Sequence, residues 1–259
     1  MAQSTKGGFF KNKFRNFLYN SASLYALKKG INERFMNLGY VGSPIELKEE
    51  DKHDTNHFQL YNTVTKGVDF KNKELMEVGC GRGGGCYFLK EYLKAAKVTG
   101  VDLSANNIKI ANKLVGSEDV TFSRQNAEEI NFPPASLDGV VNLESSHCYP
   151  NRKAFYKGVY SLLKSGGYFV YADIMMSNNV SRIREYICSL GFKLERETDI
   201  TEGVVLSLQE KQVKRFSFLK KKIIPLILKS FYVSNEGYAY AMLKEGKRKY
   251  MSFVFSKNP

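Results

Sequence analysis

The stretch from Leu75 to Gly85 constrains this chain most: an apolar run reaches an acid at Glu77 and then breaks into Gly79-Cys80-Gly81-Arg82-Gly83-Gly84-Gly85. Glycine lets the backbone turn where other residues cannot and approach a ligand without an intervening Cβ. A helix opening just beyond it offers unpaired N–H groups. Buried strand, tight turn and helix start, in that order, build a nucleotide-type ligand corner in an open α/β sheet. The glycines alone leave two readings, because Gly79, Gly81 and Gly84 also satisfy the G-x-G-x-x-G spacing that cradles a dinucleotide pyrophosphate.

The rest of the chain repeats the alternation. Lys97 to Ser104 reads as a second short buried strand ending in an acid, Asp102, which can accept hydrogen bonds from both hydroxyls of a ribose; Ser104 can cap the helix that follows. Val120 to Glu128 reads as a third strand and a polar turn, and Ser136 to Pro150 as a fourth strand whose loop gathers ionisable and hydroxyl side chains. A helix over Phe155–Leu163 closes at Lys164-Ser165-Gly166-Gly167; a fifth strand covers Tyr168–Ile174. A helix over Val180–Leu190 stops at Gly191, a sixth strand starts at Phe192, and a seventh spans Tyr250–Phe255. Strands and helices in turn predict a mostly parallel sheet covered on both faces.

Glu77, Gly79, Gly81 and Gly83 resemble the E/D-x-G-x-G-x-G first motif of class I S-adenosylmethionine (SAM)-dependent methyltransferases. The resemblance implies a Rossmann-like fold with a seven-stranded sheet and a lid inserted before the last strand. It also implies SAM as cofactor, with Glu77 supplying negative potential for its cationic amine, Asp102 holding the ribose and Leu103 lying against the adenine. In the family the turn at Asn126 and Ala127 holds the adenine amine, usually through an acid. Here Asn126 is neutral and offers its amide carbonyl instead. Asn142 joins the cofactor side at the end of the fourth strand, and Tyr61 belongs to a helix packed over the cofactor.

The stretch Glu144 to Pro150 resembles the small-molecule branch that includes phthiotriol dimycocerosate and polyketide or lipid O-methyltransferases. That branch implies transfer to a hydroxyl of a lipophilic small molecule. An acceptor hydroxyl must lose a proton, and His147, in this loop, is suited to take it, unless it is a hydrogen-bonded structural residue. Glu144 would orient His147 or bind a substrate hydroxyl. N- or C-methylation of a small molecule stays open, as does a SAM-binding protein without catalysis that docks on membranes. A nucleic-acid methyltransferase is disfavoured, because Asn142-Leu143-Glu144-Ser145 lacks the D/N-P-P-Y/F pattern of amino-methylating enzymes.

The expected organisation is an N-terminal helical cap over residues 1–70 and a SAM-binding domain over 71–259, with a basic, apolar lid at about 202–248. Net charge is +13 over 259 residues, and its distribution matters more than its size. Residues 205–259 carry twelve Lys and Arg against three Asp and Glu, and residues 1–40 carry seven against one, so the middle is close to neutral. Both flanks interleave cations with large apolar residues, at Gly8–Tyr19 and Phe216–Leu228, which suits a substrate lid or peripheral contact with an anionic membrane. No run reaches membrane-spanning length and no signal peptide is evident, so a cytoplasmic location is expected. Cys80, Cys86, Cys148 and Cys188 show neither zinc spacing nor disulfide density. His53 and His57, four apart, lack a third ligand and read as surface or helix-start residues; no metal is expected, and the oligomeric state stays open.

Overall fold

The computed structural model describes residues 33–219 and 237–258. Its sheet has seven strands: β1 (Glu74–Val78), β2 (Lys97–Asp102), β3 (Val120–Arg124), β4 (Leu137–Leu143), β5 (Leu163–Met176), β6 (Phe192–Asp199) and β7 (Arg248–Lys257). Their order is β3-β2-β1-β4-β5-β7-β6. β1 pairs in parallel with both β2 and β4, and β2 in parallel with β3. This is the mostly parallel, seven-stranded sheet that the alternation in the sequence predicts. Helices α1 (Thr55–Thr65), α2 (Gly84–Glu91), α3 (Ala105–Leu114), α4 (Arg152–Leu162), α5 (Val180–Ser189) and α6 (Thr201–Leu219) fall between the strands or before the first, and residues 237–244 are helical again before β7.

Two compact units divide the described residues, one formed by residues 33–36, 69–169 and 257–258, the other by 37–68, 170–219 and 237–256. In the first, Leu75, Met76, Val78, Val98, Val101, Val140 and Val141 are at most 1% exposed. β1 and β4 are buried at nearly every position, Glu77 and Asn142 included, as strands covered on both faces are. In the second, Tyr171 stacks on Phe253 with ring centroids 5.9 Å apart, and Phe253 on Phe255 at 5.7 Å.

Local signals set the helix starts. Ser104 caps α3, its Oγ accepting the Asn107 N–H at 3.2 Å, and Asn151 caps α4, its Oδ1 accepting the Ala154 N–H at 3.2 Å. The end of α4 differs from the expectation. Extended backbone begins at Leu163 (φ −74°, ψ 137°), so Gly166 and Gly167 fall inside β5 and do not terminate the helix. Leu163, fully buried, is the first residue of β5.

The basic segment at Gly8–Tyr19 and residues 220–228 of the second basic segment lie outside the described residues. Among the described residues no helix is long and apolar enough to cross a membrane. Because Ser104 supplies the α3 cap while Asp102 is engaged elsewhere, Ser104→Ala is expected to lower unfolding free energy by about 1 kcal/mol and Ser104→Asp to retain most of it, read by urea denaturation.

Candidate active site

Two acids stand at the carboxyl ends of neighbouring strands, and the glycine turn passes between them. Gly79 and Cys80 both donate their N–H to the Val101 carbonyl, at 2.8 and 3.1 Å, so β1 stays paired to β2 for one step beyond its last residue. The chain then runs left-handed at Gly79, Gly81 and Gly83, with φ of 76°, 55° and 88°. At Gly79 a Cβ would stand 2.3 Å from Ser145 Oγ and 3.0 Å from the Tyr149 hydroxyl. No side chain fits there in either respect. Gly83, left-handed, is the residue from which α2 starts.

Asp102 shapes this turn as much as the glycines do. One carboxylate oxygen accepts the Gly81 N–H at 3.0 Å; the other accepts the Ser104 N–H at 2.8 Å and the Asn107 side-chain amide at 3.3 Å. Burial raises its pKa above the ordinary value, and these three donors oppose the rise by favouring the charged form. Beside it Leu103 is 50% exposed, an apolar platform next to a carboxylate, while its carbonyl accepts from Arg124 Nε at 3.0 Å. Glu77 is 1% exposed, and the Cys86 thiol donates to its Oε2 at 3.1 Å.

Asn142, at the end of β4, is fully buried, and its Nδ2 lies 2.8 Å from the Val78 carbonyl, 2.6 Å from Ser145 Oγ and 3.1 Å from the Tyr149 hydroxyl. The Val78 carbonyl can only accept, which fixes the orientation of the amide, and Asn142 Oδ1 is left buried without a hydrogen bond. Ser145 Oγ and the Tyr149 hydroxyl are themselves 2.8 Å apart. Burial pushes the Tyr149 phenol far up, so it stays protonated. Glu144 opens this loop with a left-handed backbone, φ 52°, and His147, half-buried, sits in the single 3₁₀ turn Ser146–Cys148.

The third strand's turn is laid out differently from a ligand-ready loop. Asn126 is exposed, and its Oδ1 accepts the Glu128 N–H at 3.1 Å, so the oxygen expected to meet an adenine amine also closes an Asx turn; Ala127 behind it is buried. Tyr61 is 5% exposed in α1, within the second unit. Glu77, Gly79, Gly81, Gly83, Asp102 and Asn142 are thus joined by one continuous set of main-chain and side-chain contacts in the first unit.

Reading the sequence passes over three features. Arg82, inside the glycine turn, is only 3% exposed, with Nη1 3.6 Å from Glu33 Oε2 and Nε buried without a partner. A cation among seven turn residues was the available signal. The Ser145, Asn142 and Tyr149 cluster forms only when the loop folds back under Gly79. His57 is the third: it stands in the first turn of α1, as a helix-start residue, but its side-chain partner is not legible locally. His53 is exposed in the 3₁₀ helix Glu49–Asp54, but His57 Nδ1 lies 2.7 Å from Asn37 Oδ1. That oxygen also accepts the Gly39 N–H at 2.9 Å, so Nδ1 must be the donor. Burial, then the charge of Lys211, holds the His57 pKa well below its usual value, leaving the ring neutral at pH 7.

Comparison with known proteins assigns this arrangement. A family model described as a methyltransferase domain matches residues 76–171. A fatty-acid O-methyltransferase of Mycolicibacterium smegmatis is 29% identical over 229 residues, 86% of this chain and 83% of the relative. A Mycobacterium ulcerans chain named "Probable phthiotriol/phenolphthiotriol dimycocerosates methyltransferase 2" is 30% identical over 199 residues, 76% of this chain and 77% of that one. Among solved structures, Haemonchus contortus phosphoethanolamine N-methyltransferase 2, in complex with phosphomonomethylethanolamine and S-adenosylhomocysteine, superposes with a TM-score of 0.69 at 20% identity, over 77% of this chain and 52% of that one. The chain belongs to the class I SAM-dependent methyltransferases. Within them it is similar to the mycobacterial lipid methyltransferases just described, and its cofactor is SAM.

The geometry at Gly79 yields a direct expectation. Gly79→Ala forces a left-handed alanine, at a cost of about 1–2 kcal/mol, into space held by Ser145. Isothermal titration is expected to show SAM affinity at least roughly tenfold weaker than in the native chain.

Proposed function

We propose that this enzyme transfers the methyl group of SAM to a hydroxyl oxygen of a lipophilic small molecule. The observation that carries the cofactor side is the Asp102 carboxylate, pinned by Gly81 and Ser104 main-chain donors beside the half-exposed Leu103. A carboxylate held this way keeps one lone pair aimed on the oxygen that accepts from Gly81, which suits one ribose hydroxyl; a second is accommodated where it replaces the long Asn107 contact of 3.3 Å. Leu103 offers an apolar face for the adenine. The three left-handed glycines hold the turn at the strand ends, and the buried Asn142 Oδ1, without a hydrogen bond, is an acceptor that a bound donor would satisfy. Glu77 receives the cationic amine of the cofactor's methionine portion, and Asn126 with Ala127 borders the adenine.

Bound SAM supplies an electrophilic methyl carbon on a sulfonium leaving group. The chain's contribution is to hold the acceptor oxygen in line with that carbon and to take its proton. His147, half-buried in the loop after β4, is the base assigned to the acceptor hydroxyl, with Glu144 beside it in sequence to orient the ring or to bind a second hydroxyl. The relatives' names specify a fatty acid and phthiotriol dimycocerosates, acceptors with long hydrocarbon portions, which supports a lipophilic acceptor.

His147→Ala is expected to lose at least about a hundredfold in turnover, the usual contribution of general base catalysis, while SAM affinity by titration stays within a factor of two or so. Unchanged turnover removes His147 from the mechanism. SAM affinity should also depend on pH in a direction set by Asp102. Its raised pKa means the carboxyl gains a proton on acidification sooner than an ordinary aspartate would, and a protonated carboxyl loses acceptor capacity for the ribose. Affinity is therefore full at neutral pH and falls as pH drops through that raised value, a decline that Asp102→Asn should flatten in titrations across acidic buffers.

A further inference from the structure

Arg82 has no part in the chemistry above, yet it is the cation of the glycine turn from Gly79 to Gly85. A guanidinium carries a fixed positive charge and five N–H donors. Arg82 is 3% exposed, its Nε is buried without a hydrogen bond, and the acid that meets it is loosely placed: Glu33 Oε2 lies 3.6 Å from Nη1, an ion pair but beyond hydrogen-bond reach. The Glu33 side chain is 73% exposed, so water competes for it and the pair offsets little of the cost of burying the cation. Neighbours fix where this charge sits. Gly81, one residue before, donates its N–H to Asp102 at 3.0 Å, and Gly83, one residue after, opens α2, whose positive dipole end adds to the same potential. Residues 33–36, in the same unit, lie against the turn. The Arg34 carbonyl accepts the Gly84 N–H at 3.2 Å, a Cβ at Gly84 would stand 2.4 Å from the Phe35 ring, and one at Gly81 would stand 3.3 Å from Met36 Sδ. Phe35 is buried and anchors this segment, whereas Glu33 is its exposed end, so the acid beside Arg82 can be exchanged without unpacking the rest.

We propose that Arg82 binds the α-carboxylate of SAM, taking it in place of the loose contact to Glu33. The inference rests on the assignment of this corner to SAM. Within that assignment the ribose and the ammonium have partners and the carboxylate, the anionic end of the cofactor, has none. Arg82 stands one residue from the turn's bond to Asp102 and supplies the opposite charge. Its planar fork matches a carboxylate through two parallel N–H···O bonds, which a single ammonium could not provide. A buried cation with donors to spare costs stability in the free protein, and a bound anion repays that cost.

The test is isothermal titration with SAM, with decarboxylated SAM, which keeps the adenosine, sulfonium and amine but lacks the carboxylate, and with 5′-methylthioadenosine, which lacks the amino-acid portion altogether. The native chain is expected to bind decarboxylated SAM roughly ten- to a hundredfold more weakly than SAM, the scale of hydrogen bonds between charged groups. Arg82→Met, which keeps the apolar stem and removes the charge, should weaken SAM by a similar factor and leave decarboxylated SAM and methylthioadenosine within about twofold, so that the gap between SAM and its decarboxylated form closes. Arg82→Lys, which keeps the charge without the fork, should fall between the two. Equal weakening of all three ligands by Arg82→Met overturns the proposal and makes Arg82 a residue that holds the turn. A native chain that binds SAM and decarboxylated SAM alike overturns it as well. A native chain that binds none of the three refutes the assignment of the corner to SAM, a separate outcome. Binding of methylthioadenosine reports that the pocket is intact; if Arg82→Met has lost it, Arg82→Gln, neutral and polar, makes the same comparison.

Discussion

The carbonyl of Val101 accepts two consecutive N–H groups, from Gly79 and Cys80, and the geometry of the site follows from that. Those bonds carry β1 past its last paired residue and hold the turn over the end of β2. A chain held there has to reverse within a few residues, which demands left-handed backbone, and Gly79, Gly81 and Gly83 supply it. The Gly81 N–H then closes onto the Asp102 carboxylate, so the acid that ends β2 also fixes the turn that follows β1. Loop after β4 and turn after β1 are locked in the same way, by Asn142 donating to the Val78 carbonyl and by Ser145 filling the space that a side chain at 79 would take.

Both acids accept hydrogen bonds from neutral donors. Asp102 is held by two backbone N–H groups and one side-chain amide, and Glu77 accepts from a thiol. Hydrogen bonds of this kind offset the cost of desolvating a carboxylate. Arg82, the cation within the turn, is instead directed to Glu33.

Much of this was legible because it depends on local rules. Glycines at 79, 81 and 83 can be read as left-handed because few other residues tolerate that backbone. Ser104 reads as a cap, and a strand ending in Asp102 reads as an acid at the rim. His57 reads as a helix-start residue and is one, but its hydrogen bond to Asn37 and the influence of the Lys211 charge come from 20 and 154 positions away, which no local pattern encodes. α4 ends at Leu162, one residue before the expected end, and Gly166 and Gly167, which read locally as a stop, lie within β5.

The sequence by itself determined the order of strands and helices, the glycine turn, and the two rim acids, since each follows from the period of apolar residues or from what a single backbone position allows. Tertiary structure decided which groups meet: Cys86 over Gly100 beside Glu77, Asn142 under Val78, Ser145 against Gly79 and His57 against Asn37. Those contacts join residues that share no turn or strand pair in the sequence. They arise only when the sheet register and helix packing bring distant side chains into a common space, where burial sets their hydrogen bonding and their protonation.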